Sequence, residues 1–438
     1  MIASLLAGAG GLLWTLAAFV VALSIIVAVH EYGHYIVGRL TGIGAEVFSV
    51  GMGPVIYSRQ DRRGTRWQLA ALPVGGYVKF KGDANAASVG AADGPADARI
   101  AGAAIHEAPL WARAATVAAG PAFNFVMAIA IFAGMALWEG RVAEPLTVGE
   151  LRAQGDLLPG DVLLAIEGEP ISEPADLRDV EAGLPTDRPL TWTVERDGAV
   201  REVSGPHPFP AVVTAVSPLS AAAETDIRAG DLIVSMDGAP VETFDELREL
   251  VGASGGAPIT LGLLRDGEPV EAMLTPRRTD IPQPGGGFET RWLAGLVGGL
   301  AFEPATVRVG PLEALGAGVR QMWFLVVSSL EGLWSIVTGA ISSCNLSGPI
   351  GIAEASGAMA EEGVRDFVYF LAMLSVAVGL INLFPVPILD GGHLVFHAYE
   401  AVSGRPPSDR ALRVLMAGGL AAILTLMVFA VTNDLFCP

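Results

Sequence analysis

The sequence predicts a polytopic α-helical membrane protein with small α+β domains outside the bilayer, and three observations carry that prediction. Of 438 residues, 52% are hydrophobic and the mean hydropathy is +0.50, too apolar for an ordinary soluble chain. Four stretches without a charged side chain, 12–29, 115–138, 367–389 and 414–433, each approach the ~20 residues a helix needs to span hydrocarbon. The charge lies elsewhere: residues 139–310 hold 29 Asp and Glu against 13 Arg, which puts −16 of the net −19 in one segment. That excess suits a soluble region kept off anionic lipid, and it argues against nucleic acid as a partner.

The first span opens the chain. Residues 1–29 carry no charge and so lack the basic leader of a secretory signal peptide, which predicts a retained membrane helix. It runs directly into His30-Glu31-Tyr32-Gly33-His34. On a helix, residues four apart share a face, so His30 and His34 can both reach one Zn²⁺ at ~2.0–2.1 Å. Glu31 stands beside them, placed to take a proton from water at that metal. Ionisable groups at membrane depth are expensive unless paired or metal-bound, which favours a metal site over histidines that snorkel to the headgroups.

Residues 38–110 follow with eight basic side chains (Arg39, Arg59, Arg62, Arg63, Arg66, Lys79, Lys81, Arg99), against none before the first span. The positive-inside rule puts this loop in the cytoplasm and the N-terminus outside. Alternation then puts 139–310 outside, a 391–413 loop inside and the C-terminus outside. Within 45–80, β-branched and aromatic runs at 47–50, 55–58 and 66–72, then Gly75-Gly76-Tyr77-Val78-Lys79-Phe80, predict strands rather than a helix. Residues 84–104, rich in Ala, Asp and Gly, read as a mobile polar loop.

The acidic region contains a repeat. Leu157-Leu158-Pro159-Gly160-Asp161-Val162-Leu163 to Glu167-Gly168 aligns with Ile227-Arg228-Ala229-Gly230-Asp231-Leu232-Ile233 to Asp237-Gly238 at an offset of 70, and Arg196-Asp197-Gly198 with Arg265-Asp266-Gly267 at 69. Each copy reads as a turn, a strand, a second turn and a short helix. The modules are expected at 139–208 and 209–281, with 282–287 a flexible connection and 282–366 a connecting region. Within the latter, 321–341 is apolar but broken by Glu331 and followed by Ser342-Ser343-Cys344-Asn345, which predicts an amphipathic helix at the membrane interface. Cys344 and Cys437 are the only cysteines, too few for a framework, and a disulfide between them is left open.

A catalytic zinc normally has three protein ligands, so a third must come from elsewhere. Asp390, at the end of an uncharged run and beyond the helix-breaking Pro385 and Pro387, is one candidate. His393 and His397, four apart and able to share a helix face with Asp390, are the rivals. Gly391-Gly392 argues against a continuous helix through Asp390, and only His30 and His34 have an adjacent glutamate. Asn382 offers an amide that can donate to and accept from a peptide backbone. His106 and His207 lie in polar stretches and read as solvated surface histidines.

Taken together, the HExxH in the first span, the tandem repeat, Ser347-Gly348-Pro349-Ile350-Gly351-Ile352-Ala353 and the Asn382-Leu383-Phe384-Pro385-Val386-Pro387-Ile388-Leu389-Asp390-Gly391-Gly392 run resemble the site-2 protease family of intramembrane zinc metalloproteases, in its bacterial regulator-of-sigma-E branch. The repeats resemble PDZ domains, whose groove takes a peptide as an added strand. The resemblance implies zinc on His30, His34 and Asp390, Glu31 as general base, and substrate contacts from Asn382, Pro385 and Pro387. It likens 47–80 to a membrane-associated β hairpin whose edge, at Gly76 and Tyr77, guides substrate, and Gly120-Pro121-Ala122-Phe123-Asn124 to a segment near the active site. It further implies a multi-pass protein of the bacterial inner membrane, with periplasmic PDZ-like domains and an active site towards the cytoplasm. The membrane halves would be 1–138 and 367–438. The expected activity is regulated intramembrane proteolysis of a single-span membrane protein, an anti-sigma factor in a stress response or a remnant signal peptide. A non-proteolytic PDZ scaffold or chaperone with a structural metal, or a metal transporter, would leave Glu31 without a purpose or lack a path of intramembrane carboxylates.

Overall fold

The uncharged N-terminal run forms one helix, α1 (Ile2–Leu40), in a computed structural model that describes residues 2–83, 100–152, 155–181, 183–283 and 287–437. The remaining helices among the described residues are α2 (Leu110–Glu139), α3 (Pro174–Glu181), α4 (Phe244–Ala253), α5 (Pro311–Val337), α6 (Pro349–Glu362), α7 (Val364–Asn382), α8 (Asp390–Ser403) and α9 (Asp409–Phe436). Four segments, Gly11–Leu40, Leu110–Glu139, Val364–Asn382 and Asp409–Phe436, are long and apolar enough to cross a membrane, as the hydropathy predicts. The chain divides into two compact units, 1–134 with 312–334 and 346–437, and 135–311 with 335–345.

Small residues bring the helices of the first unit into contact. A Cβ on Gly33 would stand 2.4 Å from the Ala119 carbonyl oxygen, and one on Gly379 would stand 3.2 Å from the Pro121 carbonyl oxygen, so α1 and α7 both press on α2. Ala128, Phe132, Val326, Ala372 and Val376 then close an apolar cluster of α2, α5 and α7. The third apolar stretch is shorter than its composition predicts. Leu383 caps α7, residues 383–389 turn around Pro385 and Pro387, and α8 starts at Asp390. The expectation that Gly391-Gly392 would interrupt the helix is thus corrected. Both lie in its first turn, because the turn folds back on them: a Cβ on Gly391 would meet the Leu383 and Phe384 oxygens at 2.3 Å, and one on Gly392 the Val386 oxygen at 2.3 Å. Much of the expected 391–413 loop is therefore helix.

Strands β1 (Ala45–Gln60) and β2 (Arg66–Phe80) pair as an antiparallel hairpin with a shifting register. Its base is buried, with Ala45, Phe48, Val78 and Phe80 against Tyr35 of α1 and Ala112 of α2. Its far half exposes Met52, Val55, Ile56, Tyr57, Leu69 and Leu72, more apolar surface in one place than a soluble domain carries. The polar loop expected at 84–104 falls mostly outside the described residues.

The second unit holds the repeat. Its strands are β3 (Arg141–Val142), β4 (Val148–Leu151), β5 (Val162–Ile166), β6 (Glu169–Pro170), β7 (Leu190–Arg196), β8 (Ala199–Gly205), β9 (Val213–Val216), β10 (Leu232–Met236), β11 (Ala239–Pro240), β12 (Ile259–Arg265), β13 (Glu268–Leu274), β14 (Arg277–Pro282), β15 (Phe288–Leu293), β16 (Leu296–Gly298), β17 (Phe302–Pro304) and β18 (Thr306–Val307). Two four-stranded antiparallel sheets have equivalent orders, β6-β5-β7-β8 and β11-β10-β12-β13. Aligned residues do the same work in both: Arg196 grips buried Asp161 through Nε at 2.7 Å, and Arg265 grips buried Asp231 at 2.8 Å.

Where the modules end differs from expectation. Residues 282–287 are no connection, since Pro282 pairs with Phe288 and this stretch turns the β14–β15 hairpin. Beyond it, β16 pairs with β9 of the second module, whereas β17 and β18 return to β4 and β3 of the first. Phe302 joins the first core edge-on to Trp192, their ring centroids 6.3 Å apart. The second module is thus nested within the first, and strands of two or three residues carry too little periodicity to announce this. The remainder of the expected 282–366 connection contains α5 and α6. Neither cysteine is a free thiol.

Candidate metal centre

Helical spacing presents His30 and His34 on one face of α1, and α8 brings its first residue, Asp390, to the same point. His30 Nε2 stands 3.2 Å from His34 Nε2 and 3.1 Å from Asp390 Oδ2, and His34 Nε2 stands 3.4 Å from that oxygen. Donors held at ~2.0–2.1 Å around a tetrahedral ion lie roughly 3.3 Å apart, so the triangle fits zinc. The chemistry of the set demands a cation too. Three electron-pair donors facing one another repel, and buried Asp390 Oδ2 has no hydrogen-bond partner. Among the described residues, these three form the group able to hold a metal.

The far nitrogens of both rings are held by α2. His34 Nδ1 lies 2.8 Å from the Thr116 carbonyl oxygen and so keeps its proton, leaving Nε2 as the electron-pair donor. His30 Nδ1 lies 3.2 Å from the buried Asn124 amide, whose Oδ1 otherwise has no partner. The two ends of an amide are assigned by their bonding, and the oxygen towards Nδ1–H satisfies both groups. Asn124 is in turn anchored by Ser375 of α7, which donates to its backbone oxygen at 2.9 Å. Gly120 makes this approach of α2 feasible, since a Cβ there would lie 2.3 Å from His34 Nε2.

Glu31, Gly76, Tyr77, Thr116 and His393 line a cavity of about 220 Å³ together with His30, His34 and Asp390. Glu31 has the Val78 backbone N–H as a partner, and a Cβ on Gly76 would come within 3.1 Å of its Cγ. The bare backbone of β2 therefore borders the carboxylate. Asn382, Pro385 and Pro387 do not line this cavity. Asn382 donates to the Val378 oxygen of its own helix at 3.0 Å, and Pro387 packs near Gly419 of α9. Of the rival ligands, His393 reaches the cavity but not the triad, and His397 reaches neither. Asn124 and Thr116 escaped the sequence reading as partners of the histidines. Both are polar residues in an otherwise apolar span, and Asn124 also ends the Gly120–Asn124 run that the resemblance placed near the active site.

A family model described as peptidase family M50 matches residues 18–426. A Rhizobium meliloti protein named as a zinc metalloprotease is 37% identical over 432 residues, covering 96% of each chain. One from Agrobacterium fabrum, similarly named, is 36% identical over 438 residues, covering 99% of this chain and 98% of its own. The regulator of sigma-E protease of Salmonella typhimurium is 34% identical over 462 aligned positions, covering 97% of this chain and 98% of its own. The match runs through both apolar parts of the chain and the repeat between them, so this multi-pass membrane protein belongs to peptidase family M50.

Proposed function

We propose that this zinc metalloprotease cleaves single-span membrane proteins within or beside their membrane segment, with His30, His34 and Asp390 as zinc ligands and Glu31 as general base. The observation that carries the reading is the convergence of His30 Nε2, His34 Nε2 and Asp390 Oδ2, with Glu31 lining the same cavity. Zinc held by these three side chains would supply Lewis-acid chemistry for activating water and the scissile carbonyl. Glu31 would take the proton of the attacking water and hand it to the leaving amine as the C–N bond breaks. Thr116 and Asn124 keep both imidazoles in the tautomer that points Nε2 at the metal.

A peptide inside a helix cannot be cut until its own hydrogen bonds open, so substrate must be received as an extended strand. The edge of β2 at Gly76 and Tyr77 supports that role, since Gly76 brings unencumbered backbone beside Glu31. Asn382, Pro385 and Pro387, at the turn before Asp390, would contact substrate further along its path. The nested modules act as PDZ-like domains on the periplasmic side of the inner membrane, where they bind a peptide or exclude uncut substrate. An anti-sigma factor or remnant signal peptide is the expected substrate class.

Cleavage of a tagged single-span substrate in detergent tests the reading, with zinc quantified in wild type and Glu31→Gln. The variant is expected to keep its zinc and lose roughly 10²–10⁴-fold in rate. If both proteins cut, Glu31 is not the base; if both hold zinc and neither cuts helix-destabilised substrates, the metal is structural.

A further inference from the structure

The reading above leaves one need unmet: negative charge develops on the carbonyl oxygen as water adds to the peptide, and a hydrogen-bond donor aimed there is commonly worth 10²–10³-fold in rate. Few side chains in the cavity are free to provide one. His30, His34 and Asp390 face one another, Glu31 is an acceptor in its working form, and the Thr116 hydroxyl donates to the Ala112 oxygen at 2.8 Å. The Tyr77 hydroxyl accepts from Gln68 Nε2 at 3.1 Å, which leaves its own O–H free and makes it the rival donor.

His393 is the other candidate donor. It stands three residues after Asp390 on α8, so the two share a helix face, and it lines the same cavity. Its ring is steadied edge-on by Phe396, with centroids 5.9 Å apart. The side chain is partly buried, and among the described residues no group bonds its ring nitrogens, which leaves an N–H free for a group brought into the cavity. In either protonation state an imidazole offers at least one N–H. We propose that His393 is a catalytic residue that donates a hydrogen bond to the scissile carbonyl oxygen as its charge develops. The proposal rests on the protease reading. The same spacing that makes His393 look like a rival metal ligand places it one turn beyond Asp390, in the lining of the cavity that holds the triad.

The test compares wild type with His393→Ala, His393→Gln and Tyr77→Phe in the full chain. It reads zinc content, kcat and KM on one single-span substrate, and the dissociation constants of a phosphinic peptide mimicking the tetrahedral state and of the matching uncleaved peptide bound to zinc-loaded Glu31→Gln with and without the His393 change. Loss of about 10²–10³-fold in kcat is expected for His393→Ala, at unchanged zinc and KM. Phosphinate affinity should weaken in parallel while the uncleaved peptide binds as before, and His393→Gln, which retains an N–H, should recover part of both. Loss of zinc from His393→Ala would make it a ligand and overturn the proposal, as would wild-type kcat or an equal loss for both peptides, which marks packing. A kcat loss in Tyr77→Phe in its place would assign the donor to Tyr77. A wild type that cuts nothing while holding zinc would fail the protease reading itself, and the proposal with it.

Discussion

His30 can turn Nε2 towards a cation only while its Nδ1 keeps the proton, and Asn124 is the group that enforces this, 3.2 Å away on a different helix. Replacing Asn124 with Leu leaves the Nδ1–H unpaired in a buried place and frees the ring to rotate. Outer partners of metal-bound histidines typically contribute 10–100-fold in metal affinity. Asn124→Leu should therefore lose zinc to a competing chelator at roughly 10–100-fold lower concentration than wild type, while Asn124→Asp, which keeps an oxygen acceptor, should stay closer to wild type. Equal retention by the Leu variant would show that the ring needs no such partner. These residues also mark the limit of what the sequence discloses. His30 and His34, with Glu31 beside them, are legible as candidates because residues on one helix face declare themselves by spacing, and Asp390 because a carboxylate ending an apolar run is conspicuous. The particular parts of Asn124, Thr116 and His393 emerge through the crossing of α2, α1 and α8, although the sequence had already set Asn124 near the site and His393 among the rival ligands.

Each repeat hangs on an arginine clamped to a buried aspartate, and the second copy offers a clean test because the first serves as its control. Burial alone would raise the carboxyl of Asp231 above its ordinary value. Two hydrogen bonds from Arg265 and one from the Arg228 backbone N–H reverse this and hold it below. A carboxyl depressed by folding contributes stability that is fully present above its unfolded pKa of ~3.9 and is lost as pH falls through the folded value. Both modules should hold their protected amides at neutral pH and lose them below about pH 4. Asp231→Asn should instead weaken the second module at all pH values, by roughly 3 kcal/mol given that Arg265 keeps some contact with water. Hydrogen exchange at Ile233 and Leu263, against Leu163 and Val194 in the first module, measures the difference. Unchanged exchange at Ile233 would mean the clamp is ornamental. Equal loosening of both modules would mean that nesting joins them into one cooperative body. The repeat is visible in sequence because its glycine and aspartate turns recur at a fixed offset. The nesting is not, because β16, β17 and β18 are short and their partners are 80 to 166 positions earlier.

How many times the chain crosses the bilayer turns on α5, whose 27 residues would extend about 40 Å, more than the ~30 Å of hydrocarbon. Length permits a crossing, but attachment at both ends does not. Just before α5, β18 pairs with β3; just after it, the Ser342 N–H and the Asn345 amide donate to Asp280 of β14 at 3.1 and 2.7 Å. Arg141, Asp280, Thr306 and Asn345 all belong to one compact unit, and a folded unit cannot stand on both faces of a membrane. The helix is therefore expected to leave and return on one side, consistent with an apolar pattern broken by Glu331. Four crossings are then expected, one for each segment long and apolar enough to span. Single cysteines introduced at Gln283 and Ser343, with Cys344 and Cys437 replaced by serine, should both react with a membrane-impermeant maleimide in right-side-out vesicles. Cysteines at Arg63 and Ser403 should react only once the vesicles are opened. Labelling of Gln283 and Ser343 from opposite sides would make α5 a fifth span. It would then put α7 and α9 in reversed orientation and break the hydrogen bonds from Ser342 and Asn345 to Asp280, so this one measurement decides the direction in which every later helix runs.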